Sequence, residues 1–121
     1  MDNERTRILT VGRGSNRRIA EIKVYDSVAK VKRCVIPLAK KYGILRVSLF
    51  GSRARGDFRR DSDYDLLILY PPDMPFYVKT RFVTELIHAL GENVDIIGED
   101  SIRPEFYERI SGDLKVIYTA M

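Results

Sequence analysis

Glutamine is absent from the sequence, and cysteine and histidine occur once each, as Cys34 and His88. A lone cysteine excludes an internal disulfide, and one cysteine with one histidine leaves no zinc-ligand cluster of the usual kind. Any metal must therefore be held by oxygen. Long apolar runs are missing too: none approaches the ~18 residues of a membrane span. The opening MDNERTRILT is too charged for a secretory signal, so a cytoplasmic protein without a membrane contact is expected. Charged residues make up 31% of the chain, and high charge with few amides is the balance of heat-adapted proteins. At 121 residues the chain suits one core rather than two. We expect one domain over residues 26–121, preceded by an extension over 1–25.

Charge is present but unevenly placed. Residues 1–60 carry 16 Lys and Arg against 5 Asp and Glu, and residues 61–121 carry 5 against 12, so a net +4 conceals parts of +11 and −7. A basic first half favours an anionic partner: a nucleotide, a nucleic acid or an acidic protein face. Any single Lys or Arg reads first as solvated surface. No nucleic-acid recognition motif is found, and aromatic residues are not grouped with the arginines as base stacking would require.

Periodicity divides the chain. Residues 6–11 (TRILTV) and 19–25 (IAEIKVY) read as two strands of a hairpin joined by GRGSNRR, which lacks the Lys-Ser/Thr of a phosphate loop and reads as a loop tip. Over 27–42, Val28, Val31, Val35, Leu38 and Tyr42 recur at helical steps, with Asp26 or Ser27 as cap and Gly43 as stop. Pro37 inside this pattern predicts a kink or restart, and Cys34 reads as a small core residue. Residues 45–50 (LRVSLF) predict a strand. Residues 64–70 (YDLLILY), nearly continuous in apolar residues, predict a central strand covered on both faces. After PPDMP, a helix carries Val83, Leu86, Ile87 and Leu90 up to Gly91, with His88 on its surface. A strand at 93–98 (NVDIIG), a short helix at 103–110 and a final strand at 114–118 complete the pattern. The fold class is α+β, a mixed β-sheet backed by helices.

The chemistry gathers in LFGSRARGDFRRDSDYDLLILY, residues 49–70. Asp63 and Asp65, two apart at a strand start, leave the same face with Cα atoms roughly 7 Å apart. Core packing has no use for two like charges there, and they stay ionised only beside cations. Magnesium suits them, because it takes hard oxygen ligands and often combines one or two carboxylates with substrate phosphates. Asp95, alone among apolar residues of another strand, is the candidate third carboxylate. It would complete the set if its strand lies beside the first, and three strand carboxylates can serve two ions. Gly51 allows close approach to a phosphate, and the amides of the short SRARG helix with the Ser52 hydroxyl can donate to phosphate oxygens. Arg53 and Arg55 lie within reach of a triphosphate; solvated turn residues are the equal alternative. Asp57 and Asp61 read as loop charges.

The pattern Gly51-Ser52, ten residues, Asp63-Tyr64-Asp65 resembles the signature of the DNA polymerase β-type nucleotidyltransferase superfamily. The longer LFGSRARGDFRRDSDYDLLI is similar to its minimal nucleotidyltransferase (MNT) branch, and the likeness spans roughly residues 27–118. The resemblance implies a nucleotidyltransferase-like sheet, with Gly51 and Ser52 on the nucleotide phosphates, Asp63 and Asp65 on Mg²⁺, and Asp95 as ligand or base. It implies transfer of AMP from ATP to a hydroxyl, in the antitoxins of this branch a tyrosine of a HEPN-type toxin. Larger members add a domain that shapes the acceptor site, for which this chain has no room. Residues 1–25 are foreign to the family core, so a partner chain is expected to complete the acceptor. A homodimer through apolar edges at the hairpin and final strand is left open. The alternatives are a binding protein that neutralises its partner by occlusion and, more remotely, a nucleic-acid-binding protein.

Overall fold

Valine and alanine at steps of four build the inner face of helix α1 (Ser27–Tyr42), where Val31, Val35 and Ala39 are fully buried. The computed structural model describes residues 4–11 and 18–25 as backbone, and residues 27–91 and 93–120 with their side chains. Two strands precede α1: β1 (Glu4–Val11) and β2 (Arg18–Tyr25), paired antiparallel from Glu4 opposite Tyr25 to Val11 opposite Arg18. The expected hairpin strands are therefore present. The GRGSNRR tip, apart from Arg18, and the Asp26 cap lie outside the described residues.

After α1 come β3 (Arg46–Phe50), the one-turn helix α2 (Ser52–Arg55), β4 (Tyr64–Leu69), α3 (Phe76–Leu90), β5 (Val94–Gly98), α4 (Pro104–Ile110) and β6 (Lys115–Thr119). Short 3-10 turns at Glu99–Ser101 and Ser111–Asp113 flank α4. The four later strands form one mixed sheet in the order β5-β4-β3-β6, with β4 and β5 parallel and the other neighbours antiparallel. Among the described residues no helix is long and apolar enough to cross a membrane.

Alternation along the strands separates two apolar layers. Val47, Leu49, Leu66, Ile68 and Ile117 pack with Val31, Val35, Phe82, Leu86 and Leu90 into the main core under α1 and α3. Phe50 and Leu67 meet Ile110, Phe106, Ile97, Ile102 and Leu114 in a smaller cluster under α4. Leu66, Leu67 and Ile68 are all essentially inaccessible, so β4 is the doubly covered strand that its composition predicts. Arg46 and Glu99 tie β3 to the turn after β5 through two hydrogen bonds, Nε to Oε2 at 3.3 Å and Nη2 to Oε1.

Two expectations are corrected. Helix α1 continues through Pro37 instead of restarting there. The proline lies on the exposed face, while burial of Val31, Val35 and Ala39 on either side of it outweighs the ~3 kcal/mol cost of an interior proline. In α3 the buried stripe is Phe82, Leu86 and Leu90, and Ile87 is 42% exposed. Phe82 packs edge-on against Tyr42 and Tyr70, with ring centroids at 5.8 and 6.3 Å, and these two rings draw the helix face one position away from Ile87. Cys34 is partly buried against the main core and its Sγ donates to Ala89 O at 3.5 Å, as a small core residue would.

Candidate active site

The site begins where β3 ends. In the antiparallel register Phe50 faces Asp65, so the chain leaves the strand at Gly51 directly beside that carboxylate. Gly51 has φ +77° and ψ −160°, a conformation nearly closed to residues with a side chain. An added Cβ would also stand 2.3 Å from Asp65 Oδ2. Both constraints demand glycine. The next residues coil into α2, with the Ala54 and Arg55 amides donating to Gly51 O at 3.0 Å each and the Gly56 amide to Ser52 O at 2.8 Å. Gly56, at φ +94°, ends this single turn. The first amides of such a turn have no partner within it, and they lie beside the partly exposed Ser52.

Strand β4 supplies the acids. Asp63 is exposed and immediately precedes the strand, whereas Asp65 is half-buried within it. The parallel register sets Asp65 opposite Asp95 of β5. Partners in register share a face of the sheet, so the lone acidic residue of NVDIIG stands next to the pair, as the sequence leads one to expect. All three occupy the face that carries Phe50 and Leu67, beyond the end that α4 covers. Burial, and after it the charges of Asp95 and Asp63, push the Asp65 carboxyl up to about 6 against an opposing pull from Arg55. Among the described residues, no basic side chain forms an ion pair with Asp63, Asp65 or Asp95.

The two arginines of the turn part company. Arg55 is half-exposed at the rim and donates to Asp57 Oδ2 at 3.2 Å and to Asp113 Oδ2 at 2.8 Å. Arg53, expected among the phosphate contacts, is instead turned inward and only 4% exposed. Its Nε and Nη2 donate to Ser62 O at 3.2 and 3.1 Å, Nη2 also to Arg60 O at 3.1 Å, and Nη1 to the Ser27 hydroxyl at 3.1 Å. The rings of Phe58 and Tyr64 each lie 4.4 Å from the guanidinium carbon. Asp113 and this inward path of Arg53 were not foreseen: a turn arginine carries no local mark of burial, and Asp113 lies 58 residues from its partner.

The set suits a magnesium ion shared with a substrate rather than one enclosed in a cage of protein ligands. Among the described residues no three His, Cys, Asp or Glu side chains converge into a complete metal-binding group. Asp63 and Asp95 repel the half-buried Asp65 between them and remain exposed themselves. Carboxylates without cationic partners, facing a glycine turn with room for phosphate, match an ion that takes its remaining ligands from substrate and water. A cavity of about 200 Å³ lined by Arg60, Asp61, Ser62 and Asn93 adjoins the starts of β4 and β5.

Comparison with known proteins agrees with this geometry. Residues 33–120 match the family described as polymerase beta, nucleotidyltransferase. A candidate protein adenylyltransferase of Methanocaldococcus jannaschii is 34% identical over 84 residues, which cover 69% of this chain and 90% of that one. A solved structure described as a candidate minimal nucleotidyltransferase superposes with a TM-score of 0.64 at 31% identity, covering 74% of this chain and 92% of the other. The fold also matches a chain in a Shewanella oneidensis complex of a tri-AMPylated HEPN toxin with its MNT antitoxin, with a TM-score of 0.57 at 17% identity, covering 77% and 73% of the two chains.

Proposed function

Because the chain belongs to the polymerase beta nucleotidyltransferase family, we propose that it is a Mg²⁺-dependent protein adenylyltransferase, which moves AMP from ATP to a tyrosine hydroxyl of a HEPN-type toxin and so acts as its antitoxin. The observation that carries this reading is the register of Asp65 with Asp95 beside a turn that only glycine can make. The name of the M. jannaschii relative and the AMPylated toxin of the S. oneidensis complex support the reaction and the partner.

The roles follow from position. Gly51 lets the backbone close on the β- and γ-phosphates, and Ser52 donates its amide and hydroxyl to them. Arg55, at the rim and electrostatically coupled to Asp65, adds positive charge beside the triphosphate. Asp63 and Asp65 would hold magnesium, with Asp95 completing the ligand set where a second ion is present. When bound, the metal neutralises phosphate charge and eases ionisation of the attacking hydroxyl. Asp95 takes the hydroxyl proton as the acceptor oxygen bonds to the α-phosphorus. The bond from that phosphorus to the bridging oxygen breaks, and pyrophosphate leaves on the Gly51-Ser52 turn. Positioning and charge neutralisation supply most of the rate.

The test is label transfer from α-labelled ATP to a co-expressed HEPN partner. Wild type is expected to label it, and the variant combining Asp63→Asn with Asp65→Asn is not. Undiminished labelling by that variant would sink the mechanism. Cells still protected by the unlabelling variant would point to neutralisation by occlusion.

A further inference from the structure

Arg53 follows the Gly51-Ser52 turn directly in sequence, yet its guanidinium grips the far end of the loop that leads to Asp63. Two of its nitrogens donate to Ser62 O. That oxygen belongs to the peptide unit whose nitrogen is the amide of Asp63, and a peptide unit is rigid and planar. Fixing the oxygen therefore fixes the plane from which Asp63 departs. On the other side of Asp63, the Tyr64 amide donates to Asn93 O at 2.9 Å, and the Tyr64 ring lies against the same guanidinium. The Arg59 amide donates to the Ser62 hydroxyl at 2.7 Å, closing the loop just ahead of the clamped carbonyl. Asp63 is thus an exposed carboxylate between two anchored peptide units.

We propose that Arg53 is a positioning residue: without touching the nucleotide, it locks the Ser62–Asp63 peptide so that Asp63 stays in register with Asp65 and with the phosphate turn. The proposal rests on the metal-binding role given to Asp63 above. Arginine is required because only a planar fork can donate to the Ser62 and Arg60 carbonyls and to the Ser27 hydroxyl while lying between two aromatic faces. A lysine keeps the charge but offers a single nitrogen with no flat surface.

The experiment is a double-mutant cycle on metal affinity, with Mn²⁺ as the spectroscopic probe and a non-hydrolysable ATP analogue present, read by electron paramagnetic resonance on the full chain. Arg53→Lys is expected to weaken Mn²⁺ binding by roughly 10-fold, the scale for residues that orient a metal ligand. In an Asp63→Asn background the same substitution should change it by less than about 2-fold, since coupled effects vanish once the shared partner is gone. Affinity for the analogue without metal should be unchanged. Equal losses in both backgrounds, or no loss in either, would overturn the positioning role. If Arg53→Lys does not fold, Phe58→Leu, which removes one aromatic face and no hydrogen bond, enters the same cycle with the same two outcomes. Failure of Asp63→Asn itself to weaken Mn²⁺ binding would overturn the metal reading and this proposal with it; a normal Asp63→Asn effect with a neutral Arg53→Lys overturns the positioning role alone.

Discussion

Gly51 and Asp65 share one space: the carboxylate of Asp65 occupies the volume that a side chain on Gly51 would fill, with Oδ2 2.3 Å from the Cβ position. The turn proposed to take the phosphates and the acid proposed to hold the metal are therefore one structural unit, joined across a strand pair.

Gly51→Ala tests that unity. Its methyl must displace Asp65 while the backbone is strained at positive φ, a cost of about 1–3 kcal/mol. Transfer activity should fall by ~100-fold or more, since displacement of a site residue by about 1 Å has that effect. Urea denaturation and labelling kinetics on one sample measure both. Activity near the wild-type level would mean that the turn and the acid adjust independently.

Asp65 sets a pH dependence of folding. Its carboxyl titrates at about 6 in the folded chain against 3.8 for the unperturbed group. Between those values the folded state holds a proton that the unfolded state has lost. Stability from this group is complete below about pH 4 and is lost as pH rises through about 6, where the charge becomes buried among others. Asp65→Asn removes the penalty, so the variant should be the more stable by ~1 kcal/mol at pH 7.5, allowing for solvent screening of a partly exposed group. The advantage should disappear near pH 4. Denaturant titrations of both proteins at the two pH values decide it, and a variant less stable at pH 7.5 would contradict the assignment.

Arg46 and Glu99 make a separable structural contact. The pair joins β3 to the turn after β5, with side chains 31% and 18% exposed. Glu99→Gln leaves the arginine partly buried beside a neutral amide and should lower stability by about 1–2 kcal/mol. Adenylylation below the melting range should be unaffected, because the strand ends that carry the site are the opposite ones. Loss of catalysis in a folded variant would show that the two ends of the sheet are coupled.

Much of this was legible in the residues. Near-continuous Leu66, Leu67 and Ile68 identified the inner strand, and apolar residues at steps of three and four identified α1, because both record which faces must be dry. Asp95 was recognisable as the third acid because a charge among apolar strand residues needs a reason. Other features have no local record. The burial of Arg53 depends on carbonyls and rings that its own neighbours do not encode. The continuity of α1 through Pro37 depends on tertiary packing, and the choice of Phe82 over Ile87 depends on Tyr42 and Tyr70, contributed by other segments.

The sheet order β5-β4-β3-β6 also dictates how this molecule fails. Gly51 and Asp65 are carried by the two inner strands, whereas Asp95 belongs to an edge strand, and edges open before interiors do. On the roles proposed above, a molecule frayed at β5 keeps its phosphate turn and its inner acids but has lost its proton acceptor. Mild heating should therefore yield a nucleotide trap before it yields an unfolded chain.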